Sequence, residues 1–121
     1  MKRVFAALLL TLALAGLLAA CAPPTPEPVV ITITANDIFW SQNEVTVTAG
    51  QEVTFRIHNE GVLDHDFAID ELDVHLHILP GEIGEVTVMF PEAGTLEFYC
   101  SVPGHIDAGM FGTILVTEGE D

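Results

Sequence analysis

From residue 29 onward the chain consists of short apolar segments with a period of two, and this pattern constrains the fold more than any other feature. Val29–Ala35 and Glu52–His58 alternate β-branched or aromatic residues with polar ones, which indicates half-buried strands. No segment has a convincing helical period. We predict about eight strands, at Val29–Ala35, Glu44–Thr48, Glu52–His58, Asp66–Ile69, Val74–Leu79, Gly84–Phe90, Leu96–Cys100 and Gly112–Thr117.

Turn-forming residues separate these segments at regular intervals. Asn59-Glu60-Gly61, Pro80-Gly81 and Pro91–Gly94 are clear examples, because Gly, Pro and Asn favour the backbone angles of tight turns. Many short strands with regular turns and no helices predict an all-β protein, and we expect a Greek-key β-sandwich. The aromatic pair Phe39-Trp40 lies in an irregular connection. We interpret this pair as a plug for one end of the sandwich rather than as a docking surface.

The first 20 residues have the layout of an export signal. Lys2-Arg3 precede the apolar run Val4–Ala20, which matches the basic and apolar regions of a secretory signal peptide. The run has about 17 residues, the lower edge of what spans a bilayer, so an uncleaved membrane anchor is the alternative. The ending Leu18-Ala19-Ala20-Cys21 resembles the lipobox of bacterial lipoproteins. This resemblance implies that Cys21 is lipidated and tethers the exported protein to the outer face of the cell membrane or in the periplasm.

We therefore divide the chain into three parts. Residues 1–20 are a lipoprotein signal peptide, residues 21–28 are the lipidated Cys and a Pro-rich linker, and residues 29–121 are the folded domain. The prolines of the linker disfavour helix and sheet, so this stretch is a spacer. Cys100 is then the only thiol of the domain, and no disulfide framework is available.

A loop near the end of the chain carries most of the candidate chemistry. Cys100, His105 and Met110 have the spacing Cys-x4-His-x4-Met on a Pro/Gly-rich stretch between two predicted strands. Thiolate and thioether favour Cu(I) and imidazole suits both copper states, so these donors suit copper best. A blue-copper site needs a second imidazole, and His65 is the best candidate. Zinc is the rival metal, although a structural zinc site would use further Cys or His rather than a thioether.

Taken singly, a buried Cys, a core Met and a solvated loop His each have an ordinary structural explanation. Together and in this order they resemble the cupredoxins, the mononuclear type 1 blue copper proteins, and most closely the auracyanin-like lipoprotein members with this loop length. The resemblance covers about residues 29–117. It implies one type 1 copper ion with His65, Cys100, His105 and Met110 as its ligands, Met110 being axial.

One position departs from the family pattern. Many cupredoxins follow the first His with an Asn that ties the two ligand loops together, whereas this chain has Asp66. The sequence leaves open whether Asp66 bonds to Ser101 in the same way. Two other histidines, His75 and His77, alternate with apolar residues and should therefore face solvent. The sequence does not decide whether they bind a second metal there.

The charge balance is strongly acidic. The chain has 18 Asp and Glu against 3 Lys and Arg, a formal net charge of −15. Removal of the signal peptide would leave Arg56 as the only Lys or Arg. Such a field repels nucleic acid, which we exclude as a partner, and favours encounter with basic proteins. An acidic or salty habitat would explain the composition equally well.

The resemblance implies a monomeric, membrane-tethered electron carrier, not an enzyme, that cycles between Cu(I) and Cu(II). Its expected partners are redox proteins, namely a basic c-type cytochrome, a quinol-oxidising complex or a terminal oxidase. The alternative is an extracytoplasmic copper-binding or copper-delivery protein. A dinuclear copper centre of the oxidase-subunit type would need a second Cys at the position of Gly104.

Overall fold

The computed structural model describes residue 22 and residues 24–119. Within them the chain forms nine β-strands and one 3₁₀ turn at Asp70–Leu72. The strands are β1 (Val29–Asn36), β2 (Phe39–Trp40), β3 (Glu44–Thr48), β4 (Glu52–Asn59), β5 (His65–Ile69), β6 (Val74–Ile78), β7 (Ile83–Met89), β8 (Gly94–Tyr99) and β9 (Phe111–Thr117). No helix among these residues is long and apolar enough to cross a membrane. The predicted signal peptide and Cys21 lie outside the described residues, and the domain boundaries stay predictions.

The strands form two sheets. One has the order β2-β1-β4-β7 and the other the order β3-β9-β8-β5-β6. The pairs β1–β4 and β3–β9 are parallel, and the remaining pairs are antiparallel. The chain crosses between the sheets after β2, β3, β4, β6 and β7. The predicted β-sandwich is confirmed, with the two-residue strand β2 in addition to the predicted segments.

The period-two pattern places the apolar residues between the sheets. In β4, Val53, Phe55 and Ile57 are fully buried while the residues between them are more exposed. The pattern repeats in β9, where Ile114 and Val116 are buried. Alternate residues of a strand face opposite sides of its sheet, which is why the sequence pattern predicts this burial correctly.

The core between the sheets is largely aromatic. Phe67 packs against Phe55 and Phe98 with ring centroids 5.1 and 5.4 Å apart. Trp40 of β2 meets Phe67 edge to face at 5.9 Å. The interpretation of Phe39-Trp40 as a plug is right for Trp40, which is buried, and wrong for Phe39, which is exposed. Neighbouring residues of a strand point to opposite faces, so only one of the pair reaches the core.

The topology brings two distant parts of the sequence to one end of the five-stranded sheet. β8 lies between β5 and β9. Ala68 of β5 pairs with Tyr99, the last residue of β8, and Tyr99 also pairs with Phe111, the first residue of β9. The start of β5, at His65, therefore lies beside the loop of residues 100–110.

Candidate metal centre

Three side chains with metal-binding atoms converge at this end of the sheet. His65 and Cys100 are fully buried, and His105 is 5% exposed. Their donor atoms all lie within 4.8 Å of one another. The Cys100 sulfur is 3.2 Å from Nδ1 of His105 and 3.9 Å from Nδ1 of His65. The structure thus brings together three of the four side chains that the sequence analysis selected as ligands.

These separations suit one metal ion in the plane of the three donors. Metal–sulfur bonds of about 2.3 Å and metal–nitrogen bonds of about 2.0 Å, set 120° apart, hold sulfur and nitrogen ~3.7 Å apart. The observed sulfur–nitrogen distances lie on either side of that value. The arrangement needs only small adjustments to coordinate an ion.

Met110, the fourth selected residue, is fully buried at the end of the same loop. Its N–H donates to the carbonyl of His105 at 3.0 Å, and its carbonyl accepts from the N–H of Cys100 at 3.0 Å. These bonds join the two ends of the loop. Met110 is therefore attached through its backbone to both neighbouring candidate ligands.

Burial is the main influence on the pKa values of the two candidate ligands in the loop, Cys100 and His105. Burial raises the pKa of the Cys100 thiol, while the backbone N–H groups of Asp66 and Val102 act in the opposite direction. Burial lowers the pKa of His105, which favours the neutral imidazole that a metal requires. A bound metal must displace the proton of the thiol. The N–H of Asp66, 3.3 Å from the sulfur, is then placed to stabilise the thiolate.

The carboxylate of Asp66 links β5 to the start of the ligand loop. The hydroxyl of Ser101 donates to it, so the bond that the sequence left open is present. On the other side it accepts from His75 at 3.1 Å and from His77. Burial acts against the charged form, but the bonds from Ser101, His77 and His75 outweigh it and hold the pKa of Asp66 below its ordinary value.

His75 and His77 face outward from β6, as the alternation predicted. They are not simply solvated, because both contact Asp66, and the contact with Asp66 raises the pKa of His77. Sequence reasoning missed this role. The contacts follow from the register in which β5 pairs with β6, which places Asp66 opposite His77 and Ala68 opposite His75. In the described part of the chain, only the group of His65, Cys100 and His105 brings three candidate donors into mutual reach.

A second residue that sequence reasoning missed is Asp37, which follows β1. Its carboxylate accepts from Nε2 of His65 at 3.0 Å and from the N–H groups of Val62 and Leu63 at 2.7 and 3.3 Å. The Val62 bond is the main reason why the pKa of Asp37 lies below its ordinary value. Gly61 makes the approach possible, since a Cβ at that position would collide with the Asp37 carboxylate.

Comparison with known proteins identifies the family. A family model described as a cupredoxin-like domain matches residues 4–116. The chain belongs to the cupredoxin-like family. The structure of auracyanin A, a "blue" copper protein of Chloroflexus aurantiacus, superposes on this cupredoxin with a TM-score of 0.66 and 25% identity. The match covers 74% of this chain and 99% of that one.

Two curated relatives share part of the sequence. The copper-resistant cuproprotein CopI of Rubrivivax gelatinosus is 33% identical over 92 residues, which is 60% of this cupredoxin and 56% of CopI. Cytochrome c oxidase subunit 2 of Thermus thermophilus is 30% identical over 97 residues, 77% of this chain and 69% of the subunit. The chain thus spans little more than half the length of the first relative.

The donor chemistry of the cupredoxin fits one copper ion. A buried thiol and two imidazoles converge, and a buried thioether ends the same loop. Such a mixture of soft and borderline donors is suited to copper in both oxidation states. Family, fold and donor set together support one copper ion as the cofactor.

Proposed function

We propose that this cupredoxin is a single-electron carrier in which His65, Cys100, His105 and Met110 would hold one copper ion. The observation that carries the proposal is the convergence of the three buried donors. Copper bound there would supply a one-electron couple, because thiolate and imidazole ligands suit both Cu(I) and Cu(II).

The residues of the chain would keep the ligand positions nearly constant while the charge of the ion changes. Backbone bonds join Cys100 to Met110 and Met110 to His105, so the loop holds its shape without the metal bonds. The backbone N–H of Asp66 offsets negative charge on the sulfur. A site whose ligands barely move between the two oxidation states suits fast electron transfer.

The surface around the ligands provides a contact for a partner. Val62, Leu63 and Ile106, which we call the apolar rim, are 83%, 43% and 48% exposed. Ile106 follows His105 directly, whereas Val62 and Leu63 precede His65. An electron would leave through the ring of His105, which is the more exposed of the two imidazoles.

The partner we propose is a basic redox protein such as a c-type cytochrome, a quinol-oxidising complex or a terminal oxidase. A net charge of −15 steers a basic surface toward this chain, and Asp64 and Asp107 flank the apolar rim. In stopped-flow electron exchange with a basic cytochrome, we expect the rate to fall as salt is added. The charge reversal D107K should slow association at low salt. A rate that ignores salt or rises with it would exclude steering.

Copper handling is the second candidate, and the similarity to a copper-resistant cuproprotein favours it. Electrochemistry combined with copper analysis separates the two functions. A carrier should cycle between oxidation states at an electrode and keep its metal. A delivery protein should bind Cu(I) far more tightly than Cu(II) and release it to a competing Cu(I) chelator. Rapid metal loss during cycling would therefore favour delivery over electron transfer.

We also propose that the chain is not an enzyme and is not an oxidase-type dinuclear copper subunit. The position where such a subunit needs its second thiolate is Gly104, whose φ of +85° is strained for any other residue. A catalytic multicopper centre needs further clustered histidines. Among the described residues, the one cluster is the mononuclear group already described.

For the location, we propose export and lipidation of Cys21, which lies outside the described residues. Cells grown with labelled palmitate should label the protein, and C21S should abolish the label. A wild-type protein that is entirely soluble and unlabelled would exclude the anchor and leave the copper proposal intact.

A further inference from the structure

We propose that Asp37 is the positioning residue of His65: its carboxylate fixes Nδ1 as the nitrogen that faces the metal and makes the imidazole a stronger donor to Cu(II). The inference rests on the proposed ligand role of His65.

The hydrogen bond determines where the proton of His65 lies. The carboxylate of Asp37 carries no proton at neutral pH, so the contact of 3.0 Å with Nε2 requires that Nε2 carries the hydrogen and donates it. In the neutral imidazole, which is the form that binds a metal, Nδ1 is then left with a free lone pair. That nitrogen is the one that faces the Cys100 sulfur, 3.9 Å away. The same bond therefore selects the tautomer and orients the ring.

The carboxylate is itself held in place. The N–H groups of Val62 and Leu63 donate to its two oxygens, and Gly61 leaves the space that it occupies. The side chain of Asp37 is 26% exposed, whereas that of His65 is fully buried. A partly buried anion that accepts a hydrogen bond from a ligating imidazole raises the basicity of that ligand. Increased basicity favours Cu(II) over Cu(I).

The two candidate imidazoles differ in this respect. The ring of His105 makes one hydrogen-bond contact with the described residues, from Nδ1 to the Cys100 sulfur. Of these two imidazoles, only that of His65 is paired with an anion among the described residues. Removing the charge of Asp37 should therefore change one ligand and leave the ligand loop as it is.

The first test is the tautomer of His65, read by ¹⁵N–¹H NMR on the full-length, metal-free protein. We expect the hydrogen on Nε2 in the wild type and a mixture of tautomers in D37A. A hydrogen on Nδ1 in the wild type would overturn the inference. Because this measurement needs no copper, its result is independent of the proposed electron-carrier function.

The second test is the reduction potential of D37N, with D64N as the matched control. Asn can still accept the hydrogen from Nε2 through its carbonyl oxygen, so the variant removes the charge and keeps the ring orientation. Asp64 adjoins His65 in sequence, but its carboxylate lies 3.6 Å from Nε2 of His77. We expect Cu(II) to lose about tenfold in affinity relative to Cu(I) in D37N, a rise of about 59 mV. Equal potentials in D37N and D64N would overturn the inference.

Discussion

The two regions that supply the candidate ligands reach the candidate metal centre by different means. The loop from Cys100 to Met110 is closed by its own backbone: His105 donates to Val102, Met110 donates to His105, and Cys100 donates to Met110. Residues 61–64, which we call the His65 segment, are held by side chains instead. Asn59 donates to the carbonyls of Leu63 and Ile78, and Asp37 accepts from the backbone of this segment.

This difference indicates where each half of the site is encoded. The geometry of the loop depends on its length and on the turns within it, which are local properties. The position of His65 depends on Asp37 and Ile78, which are 28 and 13 residues away. Substitutions of residues other than the candidate ligands should therefore displace His65 more easily than they displace Cys100, His105 or Met110.

The largest effect on stability should come from N59A. Asn59 is fully buried, and its amide serves Leu63, Ile78 and Gly61. Only the bond to Ile78 is fully buried, and those to Leu63 and Gly61 are partly buried. Since an unsatisfied buried group costs about 1–3 kcal/mol and a partly buried one less, N59A should lower the free energy of unfolding by roughly 2–4 kcal/mol. Urea unfolding of the metal-free protein measures this loss of stability.

The matched control for N59A is Q42A. The amide of Gln42 also donates to a backbone carbonyl, that of Thr32, but at an exposed position. We expect a loss of about 0.5–1 kcal/mol, because water replaces the bond. Similar losses in N59A and Q42A would show that the His65 segment does not depend on its buried amide.

An intermediate effect is expected from M110L, which changes the loop side of the site. Leucine fills the buried space but removes the thioether, and a weak axial ligand mainly tunes the relative stability of the two copper states. Copper and blue colour should therefore persist while the reduction potential rises. Complete loss of copper would show that Met110 is a primary ligand and that the loop assignment needs revision.

The smallest structural effect, and the sharpest comparison of the two regions, comes from I106E and V62E. Both place a charge on the exposed apolar rim, next to His105 and just before His65 respectively. We expect I106E to slow electron exchange with a basic cytochrome more than V62E, and added salt should not restore the rate. A stronger effect of V62E would indicate that the electron leaves through His65 rather than through His105.

The sequence was sufficient for the strands because their alternation and turns are local signals. Each predicted strand is present within a few residues of its predicted bounds, as for Glu44–Thr48 and Val74–Ile78. It was also sufficient to select Cys100, His105 and Met110 as neighbours, because a short loop keeps them together in any fold. His65 was selected because a blue-copper site needs a second imidazole, and its place beside the loop depended on the expected β-sandwich rather than on a local signal.

The supporting contacts could not be predicted, because they depend on which strands pair and in which register. Asp37 lies in an irregular connection with no pattern that points to His65, and the gap of 28 residues is closed only in the folded protein. The contacts of Asp66 with His75 and His77 likewise follow from the pairing of β5 with β6. The exposed position of Phe39 required knowledge of the strand on which it lies.

Bonding of Cys100 to copper is read directly from the visible spectrum of the copper-loaded, oxidised protein beside that of C100A. We predict intense blue absorption in the wild type, because a thiolate of Cys100 bonded to Cu(II) donates charge to it. C100A should lose this band and keep at most a pale Cu(II) site. An intensely blue C100A protein, or a wild-type protein that binds Cu(II) without the band, would show that Cys100 is not a copper ligand.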